Sequence, residues 1–220
     1  MYHSIDVPPL LHRWRGLYVT PQWLARQVGE LQAARLPFGS LPEEIGAMTS
    51  QRHVVLTFDD AYQSLSIKGL PVLERLRAHA ITYVVASLIG KTNEWDRGKK
   101  IRQERLMDEG QLREWLDAGH EIGSHTLTHP NLTTLSTAEA RREIVESKAR
   151  LEDRFGKPIR HFCYPFGAWN ERVRDLAQEA GYATATTTIP GLNSRETNAW
   201  EMRRYFARHE KPWQAALLRR

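Results

Sequence analysis

The sequence predicts an α/β fold whose sheet is mainly parallel and is either open or closed into a barrel. Short apolar runs alternate with amphipathic segments of helical periodicity, which is the pattern of β-α-β units. The 220 residues suit one domain, and their 41% hydrophobic and 26% charged content is ordinary for a globular protein. Because the sequence contains neither an internal repeat nor a long linker, we expect a single domain over residues 1–220.

Six short runs rich in apolar or β-branched residues are the predicted strands. The first is residues 1–5, and the two clearest are residues 53–58 and 81–86. The remaining three are residues 121–123, 161–164 and 182–186. Reactive groups in such a fold collect at the carboxyl ends of the strands, where we therefore look for a site.

Capping signals and apolar spacing predict the helices between these strands. Thr20 followed by Pro21 marks the first helix, in which Leu24, Val28 and Leu31 form one buried stripe. A second helix is expected from residue 69 to about residue 79.

The later helices carry clearer start and stop signals. Asp108 with Gln111, and Ser136 with Glu139, are capping boxes that open two helices. Gly156 ends the second of these, and a last helix covers residues 171–180. The polar segment 90–100 is predicted to be a surface loop.

Composition excludes several classes of protein. The single cysteine, Cys163, cannot form an internal disulfide, and a net charge of +5 is too small to indicate nucleic-acid binding. The longest apolar stretch, residues 81–89, is about half the ~20 residues of a membrane span. Without a signal peptide the chain as it stands reads as cytoplasmic; a missing leader would make it periplasmic or extracellular.

Two adjacent carboxylates, Asp59 and Asp60, follow the strand predicted over residues 53–58. Neighbouring carboxylates raise each other's pKa unless a cation lies nearby, so the pair indicates a metal site or an acid/base pair. The alternative is a solvated turn in which Asp60 caps a helix.

Two histidines, His125 and His129, follow the strand predicted over residues 121–123. Their spacing lets both share one face of a helical turn and reach one cation; a coincidental polar loop is the alternative. Together with one carboxylate they would leave coordination positions open for water and substrate. The other aspartate could then accept a proton, provided that the strand bends between the two.

These segments resemble the motifs of a known family. Leu56-Thr-Phe-Asp-Asp60, His125-Thr-Leu-Thr-His129 and Tyr164-Pro-Phe-Gly167 are similar to the first three motifs of the polysaccharide deacetylases (NodB homology, carbohydrate esterase family 4). Tyr2-His3-Ser4-Ile5 and Leu17-Tyr-Val-Thr-Pro-Gln-Trp-Leu24 resemble the branch that contains the poly-N-acetylglucosamine deacetylases.

The resemblance implies a distorted (β/α) barrel of about seven strands that hydrolyses N-acetyl groups of a glycan. Asp59 would be the general base. The implied ligands of a divalent metal, most often zinc and otherwise cobalt or nickel, are Asp60, His125 and His129. The implied groove residues are Tyr164, whose vicinity would supply a backbone N–H for the oxyanion, Pro165, Phe166 and Gly167. Trp169 either stacks on a sugar or packs against the protein.

The sequence departs from the family pattern at three points. Ala61 replaces a common glycine, Cys163 stands where an arginine is usual, and the C-terminal Leu-x-His that supplies a general acid is missing. We expect Arg204, with Arg203 as the alternative, to orient Asp59 in place of the missing arginine. His3 would serve as the general acid, unless it belongs to a frayed N-terminus.

The resulting hypothesis is a metal-dependent hydrolase that removes N-acetyl groups from a polysaccharide containing N-acetylglucosamine. One alternative is hydrolysis of another non-peptide C–N bond by the same centre. The other is a glycan-binding protein with a degenerate, non-catalytic site. The expected partner is an N-acetylated glycan, without nucleic acid or a membrane span.

Overall fold

A five-stranded parallel sheet organises the protein in the computed structural model, which describes residues 1–10, 14–43, 52–99 and 102–208. The strands lie side by side in chain order, each hydrogen-bonded to the next in parallel. They are β1 (Leu56–Phe58), β2 (Ala80–Val84), β3 (Glu121–Ser124), β4 (His161–Cys163) and β5 (Thr184–Thr186).

Two extended segments continue the sheet at its edges. Tyr2 pairs with Phe58 beside β1, and Met202 pairs with Thr186 beside β5. The segments also meet each other, because the N–H of Ala207 donates to the carbonyl of Met1 over 2.8 Å. Backbone hydrogen bonds therefore run around a ring, as a curled (β/α) barrel requires.

The strand count differs from the expected number of about seven. Five strands are regular, and the two edge segments pair only at single positions, so they fall short of strands. The strand predicted over residues 1–5 is one of these segments; Ser4 leaves the sheet to pair with Tyr18.

Helices cover the sheet, one preceding β1 in the chain and four lying between consecutive strands. They are α1 (Pro21–Ala33), α2 (Leu70–Arg75), α3 (Glu109–Asp117), α4 (Thr137–Phe155) and α5 (Glu171–Glu179). The predicted caps are confirmed: Thr20 accepts from the N–H of Trp23, and both capping boxes are formed. Gly156 ends α4 in the left-handed conformation, with φ of 63°.

The second helical segment begins and ends earlier than predicted. The segment opens with a π-helical turn at Leu65–Gly69, and α2 then ends at Arg75 rather than near residue 79. Arg77 has a φ of +49°, which is incompatible with a continuing right-handed helix.

The core lies between the sheet and the helices. All five residues of β2 are buried, as expected for a parallel strand covered on both faces. Leu24, Val28 and Leu31 of α1 are also buried, each contributing roughly 1.5–3 kcal/mol. Among the described residues, no helix combines the length and the apolar character needed to cross a bilayer.

One long connection lies between β2 and α3, over residues 85–108. It contains the predicted surface loop 90–100, whose last residue is outside the described ranges. Within it, Glu94–Asp96 forms a 3-10 turn and Thr92 pairs with Arg105 in antiparallel fashion. The loop is thus a folded excursion at the carboxyl end of β2.

Candidate active site

Asp59 and Asp60 leave the end of β1 in different directions because the backbone turns sharply between them. Asp60 and Ala61 have φ values of +72° and +53°, and both carboxylates are buried. The condition that the strand bends is therefore met, and a solvated turn is excluded. The left-handed conformation of Ala61 costs about 1–2 kcal/mol and explains why glycine suits this position.

His125 directly follows β3 and is oriented by a backbone hydrogen bond. Its Nδ1 lies 2.7 Å from the carbonyl oxygen of Cys163 at the end of β4. Because a carbonyl only accepts, Nδ1 carries a proton, and in the neutral ring Nε2 therefore keeps its lone pair. This is the tautomer that a histidine ligand of a metal needs.

His129 is placed by a tight turn, not by the helical turn that its spacing suggested. Thr126 and His129 have φ values of +68° and +66°, and the N–H of His129 donates to Thr126 Oγ1 over 2.9 Å. Glu143 of α4 accepts the N–H groups of Leu127 and Thr128, each over 2.9 Å. The turn is thus anchored to α4.

Asp60, His125 and His129 converge on one point. The Nε2 atoms of both histidines lie 3.3 Å from the same oxygen, Asp60 Oδ1. Oδ1 is buried, and it has no well-formed hydrogen bond among the described residues. Ligand atoms about 2.1 Å from one tetrahedral cation are separated by about 3.4 Å, so this donor set fits a divalent metal.

Asp59 is not part of this group of three residues; it forms an ion pair with Arg204. Arg204 Nη1 donates to Asp59 Oδ1 over 2.6 Å and Nη2 to Oδ2 over 2.9 Å. Arg204 is itself buried and also donates from Nε to the carbonyl of Thr187. Asp59, His125 and Cys163 form a second cluster of possible donors, but the guanidinium on Asp59 disfavours a cation there.

Cys163 lies against this ion pair and accounts for the missing third-motif arginine. Arg204 Nη2 is 3.1 Å from its Sγ, and Sγ is 3.5 Å from Asp59 Oδ2. The guanidinium thus reaches Asp59 from a different part of the chain, beside a small thiol. Arg203 belongs elsewhere, since its side chain is exposed and lies beside Gly191.

His3 faces the same cluster from the N-terminal segment. The segment is tied down by Tyr2, whose N–H donates to the Thr57 carbonyl and whose own carbonyl accepts from Asp59. A frayed terminus is therefore wrong for this residue. Burial lowers the pKa of His3, and the nearby charges of Asp59 and Asp60 partly offset that effect.

The electrostatics keep Asp59 ionised. Burial raises the pKa of a carboxyl group, but the charges of Arg204 and His3 and the Arg204 hydrogen bonds outweigh it and hold Asp59 at about 2. Burial also opposes ionisation of Asp60, yet its pKa lies well below the usual value because His125 and His129 face it. Both carboxylates are anionic at neutral pH.

The groove residues expected from the third motif divide into two groups. Phe166 is 54% exposed. Its ring meets the ring of His129 edge-on, with the two ring centroids 4.7 Å apart. The buried Pro165 begins a 3-10 turn that ends at Gly167. Gly167 has a φ of +68°. Phe166 thus borders the site and Gly167 shapes the turn.

Tyr164 does not contribute its side chain to an open groove, which corrects that expectation, whereas stacking of the half-buried Trp169 on a sugar stays a prediction. Tyr164 is fully buried and its hydroxyl donates to the Trp200 carbonyl over 2.9 Å. Its N–H donates to the carbonyl of Thr186 within the sheet and is not available to an oxyanion. Trp169 packs on Tyr164, with ring centroids 6.4 Å apart.

Two aromatic residues at the site were not anticipated. Tyr62 is buried close to Asp60, and burial together with that negative charge raises its pKa well above the usual value. Trp95 stacks on His129 with ring centroids 4.2 Å apart. Neither has a sequence signal, since Trp95 comes from a polar loop 34 positions before its partner in the numbering.

Comparison of the sequence with known proteins gives a consistent set of relatives. A family profile described as polysaccharide deacetylase matches residues 46–185. A Bacillus subtilis (strain 168) protein named as a polysaccharide deacetylase, YxkH, is 28% identical over 70% of this chain and 51% of its own length. A Bradyrhizobium chitooligosaccharide deacetylase is 25% identical over 70% of this chain and 64% of its own length.

A third relative is a peptidoglycan-N-acetylglucosamine deacetylase, PgdA, of Listeria monocytogenes. It is 28% identical over 74% of this chain and 30% of its own length. The chain therefore spans between about a third and two thirds of these curated relatives.

Solved structures share the fold. The Streptococcus pyogenes deacetylase PplD, solved with acetate, superposes with a TM-score of 0.79 at 23% identity, covering 99% of this chain and 94% of that one. IcaB from Ammonifex degensii superposes with a TM-score of 0.71 at 18% identity, covering 86% of this chain and 82% of that one. At these identities the likeness extends to the (β/α) barrel architecture.

Proposed function

The chain belongs to the polysaccharide deacetylase family, and from that premise we propose that it is a metal-dependent hydrolase removing N-acetyl groups from a polysaccharide containing N-acetylglucosamine. The observation that carries the proposal is the convergence of His125 and His129 on Asp60, 3.3 Å from the same oxygen. Asp59, ionised and held by Arg204, stands beside that point. The names of the relatives, which include chitooligosaccharide and peptidoglycan deacetylases, support the substrate class.

Asp60, His125 and His129 would hold the metal ion. One carboxylate and two imidazoles suit zinc, and the same donors accept cobalt or nickel. When bound, the cation supplies Lewis-acid activation of a water molecule and of the acetamide carbonyl. The chain's own contribution is to keep Asp60 anionic and the Nε2 lone pair of His125 directed at the site.

Asp59 is the proposed general base. It takes a proton from the attacking water, which its ionised state at neutral pH allows. A carboxylate with a pKa of about 2 is a weak base on its own, so its orientation matters. Arg204 fixes both carboxylate oxygens and so keeps the base aimed in one direction.

His3 is the proposed general acid. The amide nitrogen of the substrate must be protonated before it leaves as an amine, because an unprotonated amide nitrogen is a poor leaving group. Burial favours the neutral imidazole, whereas Asp59 and Asp60 favour the protonated one. His3 is thus suited to hold a proton transiently next to the base.

Phe166 is the proposed contact for the sugar. Its ring is mostly exposed and lies next to His129, so it offers an apolar face at the mouth of the site. Pro165 and Gly167 set the turn that presents this ring. A glycan polymer as substrate favours action in the periplasm or outside the cell over the cytoplasm.

Acetate release is the test of this function. Protein reconstituted with zinc, cobalt or nickel is incubated with N-acetylglucosamine oligomers, and acetate is measured against time. We expect release that depends on the metal and disappears in Asp59→Asn. Release from small non-sugar amides alone would favour another C–N hydrolase, and neither metal uptake nor acetate would favour a non-catalytic glycan-binding protein.

A further inference from the structure

The two histidines of the candidate metal centre are oriented by different means. His125 has its Nδ1 hydrogen-bonded to the Cys163 carbonyl. The Nδ1 atom of His129 is buried and has no hydrogen-bond partner among the described residues. A histidine that binds a metal normally donates its other ring N–H to a neighbouring acceptor, which fixes the ring. His129 lacks that support.

The indole of Trp95 packs on His129 and can fix the imidazole in the absence of this hydrogen bond. Trp95 stacks on the imidazole of His129, with centroids 4.2 Å apart and planes inclined by 26°. Phe166 and His125 meet the same ring edge-on, each at 4.7 Å between centroids. The imidazole is therefore confined by neighbouring rings on several sides.

Trp95 is itself held firmly. It belongs to the turn Glu94–Asp96, which Asn93 braces: Asn93 Nδ2 donates to Asp96 Oδ2 over 3.0 Å. The Glu104 N–H donates to Asn93 Oδ1 over 2.7 Å, and Asn93 is almost completely buried. The indole thus sits on an internally hydrogen-bonded loop.

The same loop is connected to the metal-binding carboxylate. Leu106 pairs with Tyr62, two residues after Asp60. Tyr62, Leu106, Val85 and Leu88 form a small buried cluster against which Trp95 packs. These contacts restrict movement of the indole relative to Asp60. By stacking on His129, the indole therefore holds the imidazole in a constant position relative to the Asp60 carboxylate.

We propose that Trp95 is a positioning residue that orients His129 for metal binding by ring stacking, in place of a hydrogen bond to Nδ1. The inference deepens the proposed function and rests on it. Stacking limits the tilt of the imidazole and so keeps its Nε2 at 3.3 Å from Asp60 Oδ1. Loss of the indole leaves the ring free to tilt and lowers the affinity for the cation.

The test measures metal affinity directly. The dissociation constants of Zn²⁺ and Co²⁺ are determined by competition with a chromophoric chelator for the wild type, Trp95→Ala, Trp95→Phe and Leu88→Val. We expect Trp95→Ala to weaken binding by about tenfold or more, as loss of support around a ligand does. Trp95→Phe, which keeps a stacking ring, should stay within about threefold of the wild type.

Leu88→Val is the matched control, because it trims the cluster beneath the loop without touching His129. Its dissociation constant should stay within about threefold of that of the wild type, because the indole remains stacked on His129. The absorption spectrum of bound Co²⁺, which reports ligand geometry, should change in Trp95→Ala and not in the control. Equal weakening in Trp95→Ala and Leu88→Val would overturn the stacking role in favour of general loosening.

Two further outcomes are distinguishable. An unchanged metal dissociation constant in Trp95→Ala with a raised KM for the oligomer would place the indole on the sugar and overturn the inference, while leaving the deacetylase function intact. Failure of the wild type to bind a divalent metal would remove the proposed function together with the inference.

Discussion

Arg204 and Asp59, which are 145 positions apart in the chain, form a buried two-point ion pair with N–O distances of 2.6 and 2.9 Å. A charge pair of this kind is costly to break from one side, because the remaining partner stays buried and uncompensated. The pair therefore determines both the stability of the site and the ionisation of the base.

Arg204→Met should destabilise the fold by about 3–5 kcal/mol, since it leaves the Asp59 carboxylate without a cation. Acetate release should fall to background. The double variant Asp59→Asn/Arg204→Met should recover part of the stability but none of the activity. Urea unfolding of the four proteins at pH 7 measures the coupling, and additive effects would show that the two side chains act independently.

Metal should stabilise the protein through Asp60. A ligand present at about 100 times its dissociation constant raises the free energy of unfolding by about 2.7 kcal/mol. We expect a corresponding increase in the melting temperature on adding Zn²⁺, reversed by a chelator and absent in Asp60→Asn. Asp59→Asn is the matched control: it should retain the metal-induced increase while lacking activity, and an equal loss in both variants would contradict the separate roles.

Gly167→Ala should be destabilising by about 1–3 kcal/mol, because a left-handed backbone and an overpacked contact combine there. The added Cβ would lie 2.1 Å from Thr188 Oγ1, and Gly167 has a φ of +68°. Gly29→Ala in α1 is the control, since its Cβ meets no atom within 4 Å. That variant should gain about 1 kcal/mol from helix propensity, as measured by thermal unfolding.

His120 should make the fold sensitive to acid. Burial, followed by the nearby charge of His79, lowers the pKa of His120 from 6.5 to about 4. Between these two values the unfolded chain binds more protons than the folded one, so stability falls as the pH drops from about 6.5 towards 4.

His120→Phe tests this sensitivity. Neither ring nitrogen of His120 has a hydrogen-bond partner among the described residues, and its ring packs on Trp115 at 4.2 Å. A phenyl ring can keep that packing without taking up a proton. Urea midpoints should match the wild type at pH 8 and exceed it at pH 5; parallel curves for the two proteins across this range would refute the assignment.

The sequence predicted the parts of the site that local chemistry and motif order determine. The aspartate pair and both histidines came from residue types at strand ends, the substitute arginine came from the family resemblance, and the geometry brings them together. Helix starts were equally predictable, because the capping box of Ser136 and Glu139 involves residues only three positions apart. Short-range patterns of this kind can be predicted from the sequence because the interacting residues are close together in the chain.

Other features depend on contacts between distant residues, which a single sequence does not display. Trp95 meets His129 only because the loop after β2 folds back over the end of β3. The resemblance to the third motif predicted Tyr164 in the groove. Its side chain is instead buried in the core, where the hydroxyl donates to the backbone carbonyl of Trp200. The edge segment at residues 1–5 was predicted as a strand because apolar content does not reveal how many residues will pair.

The backbone contacts between Met1 and the segment around Ala207 have a consequence for how the protein folds as it is synthesised. Tyr2 can pair with Thr57 and Asp59 early, whereas the guanidinium of Arg204 cannot reach Asp59 before ribosomal synthesis has passed residue 204. A nascent chain that has assembled β1 to β5 therefore still lacks the cation that compensates the buried Asp59 carboxylate. The site is thus completed by a contact of high sequence separation, and contacts of this kind form late and slowly in folding.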